Sequence, residues 1–270
     1  MQKKANLFIV AAPKCGTSSF YRYIMQHKQI FLSSPKEPHY FNTAFSEKYR
    51  KPFTQRIFQN DDEYSTLFNN ANKEHIVIGE ASTWYLRSEV AIPKIYKYNP
   101  DSKVIVMLRN PVAMSQSLNA EELFSSNENV KNFEEAWYLQ ESRLKGKHIP
   151  PRCLDLKVIL YKSACSLGTQ LKRLFSIFPY DQVYPIIFDD FISMIPNVYK
   201  NVLNFLNVPF DGRDSFPKMN SRKDHKIKLL NDLFLVTNSP IIFQKISYNI
   251  KKIFGLKTLG IKPLLKKGCV

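Results

Sequence analysis

The stretch Phe8-Ile9-Val10-Ala11-Ala12-Pro13-Lys14-Cys15-Gly16-Thr17-Ser18-Ser19 reads as a buried strand, a tight loop and the start of a helix. Such a loop aims backbone N–H groups and the positive end of a helix dipole at one point, where an anion is stabilised. Gly16 allows close approach of the backbone, Thr17 and Ser18 add hydroxyl donors, and Lys14 adds a full positive charge. An N-capped helix after a strand accounts for Thr17 or Ser18 alone, but not for Lys14 and Gly16 together. The ATP/GTP loop pattern GxxxxGKS/T is absent, because the lysine precedes the glycine by two positions. No strand-terminal Asp stands out as a magnesium ligand, which disfavours metal-assisted phosphoryl transfer.

Outward from this stretch, short β-branched apolar runs at 7–12, 76–78, 104–108 and 183–188 read as buried strands. Helical patterns lie between them at 18–27, 134–144 and 167–178. Strands alternating with helices predict a three-layer α/β fold with a central, mainly parallel β-sheet flanked by helices. Residues 157–161 fit a strand by composition or the start of the following helix, and periodicity does not decide between them. Residues 42–72 read as short helices and loops, and 119–151, ending in Pro150-Pro151, as a candidate cover for a site. There is no internal repeat and no low-complexity linker. The expectation is one domain over 1–270, with a core at about 6–223 and a basic helical segment at 224–270.

The 270 residues are 44% hydrophobic and 23% charged, ordinary for a globular protein and unlike a disordered or collagenous chain. The charge balance is unusual: 39 Lys+Arg against 23 Asp+Glu give a net charge of +16, which points to a polyanionic partner. Residues 222–270 carry 11 Lys+Arg and two Asp, either a solvated basic face or a surface making weak contact with an acidic membrane. The four cysteines, Cys15, Cys153, Cys165 and Cys269, show neither a zinc spacing nor a disulfide framework. No apolar run approaches the roughly 18 residues of a membrane span, and the run at 7–12 is too short for a signal peptide. The expected location is cytoplasmic.

The segment Pro13-Lys14-Cys15-Gly16-Thr17-Ser18-Ser19 resembles the 5′-phosphosulfate loop of sulfotransferases that use 3′-phosphoadenosine 5′-phosphosulfate (PAPS). Three further resemblances follow in that family's order, spanning roughly residues 8–223. Lys36-Glu37-Pro38-His39-Tyr40-Phe41 is similar to the carboxylate segment of heparan-sulfate and bacterial small-molecule sulfotransferases, in which the residue matching Glu37 is the catalytic base. His39 is the competing base. Lys103-Val104-Ile105-Val106-Met107-Leu108-Arg109-Asn110-Pro111, with Ser117 eight residues after Arg109, resembles the 3′-phosphate motif. A guanidinium at a strand's C-terminal end suits bidentate phosphate binding, and Pro111 starts a helix that returns Ser117 to the same anion. Met219-Asn220-Ser221-Arg222-Lys223 is similar to the basic loop that closes over the nucleotide. Gly79-Glu80-Ala81-Ser82-Thr83-Trp84-Tyr85-Leu86 looks like the bacterial segment after the second strand. It departs from the heparan-modifying enzymes, which carry a lysine at the position of Ala81.

The resemblance implies a P-loop-like fold and in-line transfer of a sulfuryl group from PAPS, leaving the product PAP, with no metal. Lys14 is implied as a catalytic cation and Glu37 as the base. Lys14, Cys15, Gly16, Thr17, Ser18, Arg109, Ser117, Tyr161, Arg222 and Lys223 are implied as nucleotide contacts. The expected acceptor is a hydroxyl of a small molecule, such as a secondary metabolite or alkaloid, with a carbohydrate hydroxyl or an amine as alternatives. A nucleotide-dependent kinase needs a different loop and magnesium. A basic polyanion-binding protein without catalysis fits the charge, but no aromatic-basic motif for nucleic acid is present. Aromatic residues within 41–68 and 124–138 are either pocket walls or plain core. Oligomeric state is not legible.

Overall fold

A computed structural model describes residues 3–44 and 58–217. The strands are β1 (Leu7–Ala11), β2 (Ile30–Leu32), β3 (Val77–Ser82), β4 (Lys103–Leu108) and β5 (Val183–Ile187). They form one sheet in the order β2-β3-β1-β4-β5, and every pairing is parallel. Each residue of β1 and β3 is buried. Successive side chains of a strand face opposite sides, so both faces of the sheet are covered and the architecture is three-layered. At the edge, β5 buries only Val183 and Ile186 and carries Pro185, which lacks an N–H and is tolerated where a strand has one neighbour.

The chain leaves β1 toward β2 on one side of the sheet and leaves β4 toward β5 on the other. Connections that diverge in this way open a crevice beyond the C-terminal ends of β1 and β4, where open α/β sheets bind ligands. The segment Pro13–Gly16 and the Arg109–Asn110 step are the two lips of that crevice. Both lead directly into helices. Gly16 is the N-cap of helix Thr17–Ile24. Asn110 caps helix Pro111–Phe124, its side chain accepting from the Val112 and Ala113 N–H groups, with Pro111 at the first turn.

Several elements differ from expectation for physical reasons. β2 is only three residues long, too short to announce itself by pattern. The strand expected at 76–78 continues through Glu80 to Ser82. The charged residue is tolerated inside because three hydroxyls donate to its carboxylate: Tyr64 at 2.9 Å, Tyr85 at 2.8 Å and Ser82 at 2.6 Å. The helix expected at 134–144 is two short helices, Phe133–Tyr138 and Gln140–Leu144. Residues 157–161 hold no strand: a 3₁₀ turn, Leu156–Ile159, capped by Asp155, precedes a helical turn starting at Tyr161. The aromatics Phe41, Tyr64 and Phe68 are buried and pack edge-on with Phe8 or Tyr98 or with one another, so this group is core.

β1 approaches β3 closely at Gly79, which is registered against Leu7. A Cβ on Gly79 would lie 2.4 Å from the Leu7 carbonyl oxygen, and backbone cannot give way as a flexible side chain does. Gly79→Ala is expected to destabilise the protein by about 1–3 kcal/mol in urea melts. Gly168→Ala, at an exposed helical position where a Cβ meets nothing within 4 Å, should be neutral or slightly stabilising.

Candidate active site

Lys14 and Gly16 both adopt positive φ, 66° and 83°. That left-handed geometry is costly for a lysine and is retained where the surroundings enforce it. It turns the loop so that helix Thr17–Ile24 begins at the crevice. The helix has no acidic residue in its first turn, and its N-cap, being glycine, has no side chain to accept from the first-turn N–H groups. The Ser19 N–H turns back to the Gly16 carbonyl at 3.1 Å, and the positive end of the dipole at Thr17 and Ser18 favours an anion. Thr17 is buried and Ser18 half-buried at this end. The Cys15 thiol is fully buried, contacts the Pro13 carbonyl oxygen, and is pushed up to about 12 by burial, so Cys15 can offer a ligand its backbone only.

Arg109, at the end of β4, donates through Nη1 to the Lys14 carbonyl oxygen at 3.0 Å, tying the two lips of the crevice together. The Lys14 ammonium meets the Glu121 carboxylate at 2.9 Å, and both side chains are about one-third exposed. Glu121 follows Ser117 by four residues on helix Pro111–Phe124, so the two share one helical face, and that face addresses Lys14. The loop, Arg109 and the Ser117 face are therefore one cluster. Glu121 was not singled out in the sequence, although its spacing from Ser117 is the signal that reveals it. Its neighbour Glu122 is buried and accepts from Asn127 at 2.7 Å and Ser125 at 3.2 Å.

Glu37 lies on the β3 side. After β2 the chain is stitched along the end of β3: Ser33 N–H donates to the Gly79 carbonyl at 2.8 Å, and Glu37 N–H to the Ala81 carbonyl at 2.9 Å. His39 N–H then donates to the Ser82 hydroxyl at 3.2 Å, and Phe41 N–H to the Tyr85 hydroxyl at 3.3 Å. Since Ser82 and Tyr85 also donate to Glu80, that buried carboxylate fixes the loop from below. Glu37 and His39 both have positive φ, 64° and 50°, on either side of Pro38. The Glu37 carboxylate accepts from Thr83 at 2.8 Å, contacts the Lys36 ammonium, and lies 3.2 Å from His39 Nε2. Burial pushes this carboxyl up, but the Lys36 charge and the hydrogen bond and charge of His39 outweigh it and hold Glu37 well below the usual carboxylate range.

Tyr161 is placed differently from expectation. Its ring is fully buried, so a ligand has no surface of it to touch. The hydroxyl donates to Glu128 at 2.8 Å and accepts from Asn119 at 3.0 Å. Glu128 receives a bidentate guanidinium from Arg143 at 2.7 and 2.8 Å, both side chains being inaccessible. This network anchors the stretch read as a candidate cover onto helix Pro111–Phe124. Met219–Lys223, with Arg222 and Lys223, and the basic segment beyond lie outside the described residues.

The fold and these lips define an α/β domain with Lys14, Arg109 and the start of helix Thr17–Ile24 gathered at the end of its central strand. Residues 6–212 match the profile of the sulfotransferase family, and the chain belongs to that family. A solved sulfotransferase from Alicyclobacillus acidocaldarius is 26% identical with a TM-score of 0.68, over 95% of this chain and 98% of that one. The sulfotransferase domain from the curacin biosynthetic pathway, 15% identical with a TM-score of 0.51 over 78% of this chain and 77% of that one, shares the fold. The central sheet and its flanking helices are thus the P-loop-like arrangement of these proteins. Membrane-associated sulfotransferase kil1 of Dictyostelium discoideum is 31% identical over 42% of this chain and 22% of its own length. Mouse carbohydrate sulfotransferase 15 is 27% identical over 48% of this chain and 29% of its own length. The match thus spans less than a third of either curated relative. Among the described residues no helix is long and apolar enough to cross a membrane.

Burial pushes the Glu122 carboxyl up from its ordinary 4.5 to about 7, against its hydrogen bonds from Asn127 and Ser125. The folded state then binds this proton more tightly than the unfolded chain. The resulting stability is complete below about pH 4.5 and is lost as pH rises through about 7. Relative to Glu122→Gln, the wild type should lose up to about 3 kcal/mol between pH 5 and 8 in urea melts. A constant difference across that range means that Glu122 stays ionised in the fold.

Proposed function

We propose that this protein transfers a sulfuryl group from PAPS to a hydroxyl of a small-molecule acceptor, using protein cations alone, in the cytoplasm. The observation that carries the reading is the tie between Arg109 and the Lys14 carbonyl, which sets two cations at the β1/β4 crevice beside an uncapped helix start. PAPS, when bound, supplies a sulfuryl group on a phosphate leaving group. The first-turn N–H groups with Thr17 and Ser18 hold the 5′-phosphate. Lys14 exchanges Glu121 for the oxygen on which charge builds. Arg109 and Ser117 hold the 3′-phosphate. The net charge of +16 steers the polyanion inward.

Glu37 accepts the proton of the acceptor hydroxyl. A carboxylate held so far below its usual range is a weak base, because proton affinity and basic strength rise together. The Lys36 pairing is the part that relaxes: sulfuryl oxygens compete for this ammonium, and its departure raises the proton affinity of Glu37 when a proton must be taken. A sugar hydroxyl is the second reading of the acceptor, favoured by the likeness to carbohydrate sulfotransferase 15.

Calorimetric titration of PAP against ATP plus magnesium, at two salt concentrations, tests the donor. PAP-selective binding is expected; selective binding of ATP with magnesium, or of neither, overturns the reading. Glu37→Gln should leave PAP affinity nearly intact while turnover falls roughly a hundredfold or more; undiminished turnover removes Glu37 from the mechanism. Arg109→Ala should weaken PAP by roughly ten- to a hundredfold, the loss of a charged hydrogen bond, and much more than it weakens a nucleotide without the 3′-phosphate; equal weakening of both rejects the assignment.

A further inference from the structure

Phe188 opens helix Phe188–Ser193 directly after β5 and belongs to none of the motifs above. Its half-buried ring meets two members of the donor seat. The guanidinium carbon of Arg109 stands over it, 4.5 Å from the ring centroid, a cation–π distance. The same ring lies against the bare Cα of Gly16, where a Cβ would come within 3.0 Å of both Cδ2 and Cε2. Glycine therefore meets two demands there, a positive φ of 83° and room for this ring. Phe191 supports the arrangement from the next turn: it comes 3.5 Å from the same point and packs edge-on against Phe20 at 5.8 Å. The loop after β1, the end of β4 and the end of β5 meet at one aromatic side chain.

Arg109 has five N–H donors in a fixed plane, and the Lys14 carbonyl takes one of them. A guanidinium without a second restraint can swing about that single bond. We propose that Phe188 is a positioning residue: its ring face holds the Arg109 plane so that the remaining N–H edge meets the 3′-phosphate, and this sets the preference for a 3′-phosphorylated nucleotide. The inference rests on the donor reading given above.

The test compares PAP with AMP, which lacks only the 3′-phosphate, by calorimetric titration of the full chain. Wild type, Phe188→Leu and Phe188→Tyr are measured, with thermal melts to verify folding. F188L keeps apolar bulk beside Gly16 but has no π face. Its PAP-to-AMP affinity ratio should fall about three- to tenfold, the worth of a cation–π contact, with AMP binding unchanged. F188Y restores the face and should keep the wild-type ratio. If F188L does not fold, Phe188→Met carries the same comparison. A ring that merely props the loop would lower both affinities together, and that outcome, or an unchanged ratio in F188L, overturns the inference. A wild type that binds PAP no better than AMP overturns the donor reading and the inference with it.

Discussion

The site depends on the parallel pairing of β1 with β3 on one side and β4 on the other. Parallel strands deliver their C-terminal ends to one edge, so three loops distant in sequence emerge side by side. Lys14 follows β1, Arg109 ends β4, and the Glu37 loop is sewn to β3 by main-chain bonds to Gly79 and Ala81. Gly79 is the price of that closeness, since only a residue without a side chain lets β3 lie against Leu7. The sheet therefore positions the chemistry before any side chain is chosen.

Buried polar groups complete the positioning. Glu80 accepts three hydroxyls and through Ser82 and Tyr85 governs the backbone of the Glu37 loop. Glu128 and Arg143 form a fully desolvated pair that Tyr161 links to Asn119 on the Pro111–Phe124 helix. A buried pair of this kind adds little net stability over apolar packing, but removing one partner is expensive. Through Tyr161 and Asn119 it joins the 127–161 region to the helix that bears Ser117 and Glu121.

The sequence carried the loop, the arginine and the alternation of strand and helix, because each is local: a strand, a turn and a helix start lie within a dozen residues. It did not carry what depends on distant partners. Glu80 looks like the end of a strand until Tyr64 and Tyr85 are seen to satisfy it. Tyr161 looks like a ligand contact until its hydroxyl is found on Glu128. Glu121 and Phe188 were hidden for the same reason, since their partners lie on other elements. The two halves of the helix expected at 134–144 divide at Leu139–Gln140, where no glycine or proline marks the break.

The Lys14–Glu121 pair has a further consequence for the thermodynamics of anion binding. Where cations on a protein surface are surrounded by dissolved counterions, binding a polyanion releases those ions, and affinity falls steeply with added salt. Lys14 carries a covalently attached counterion instead. An anion that takes its place expels a carboxylate that remains part of the molecule, so this cation contributes less to the salt dependence than its charge suggests. The seat is thus partly insulated from ionic strength, while the long-range attraction that brings the polyanion to it is not.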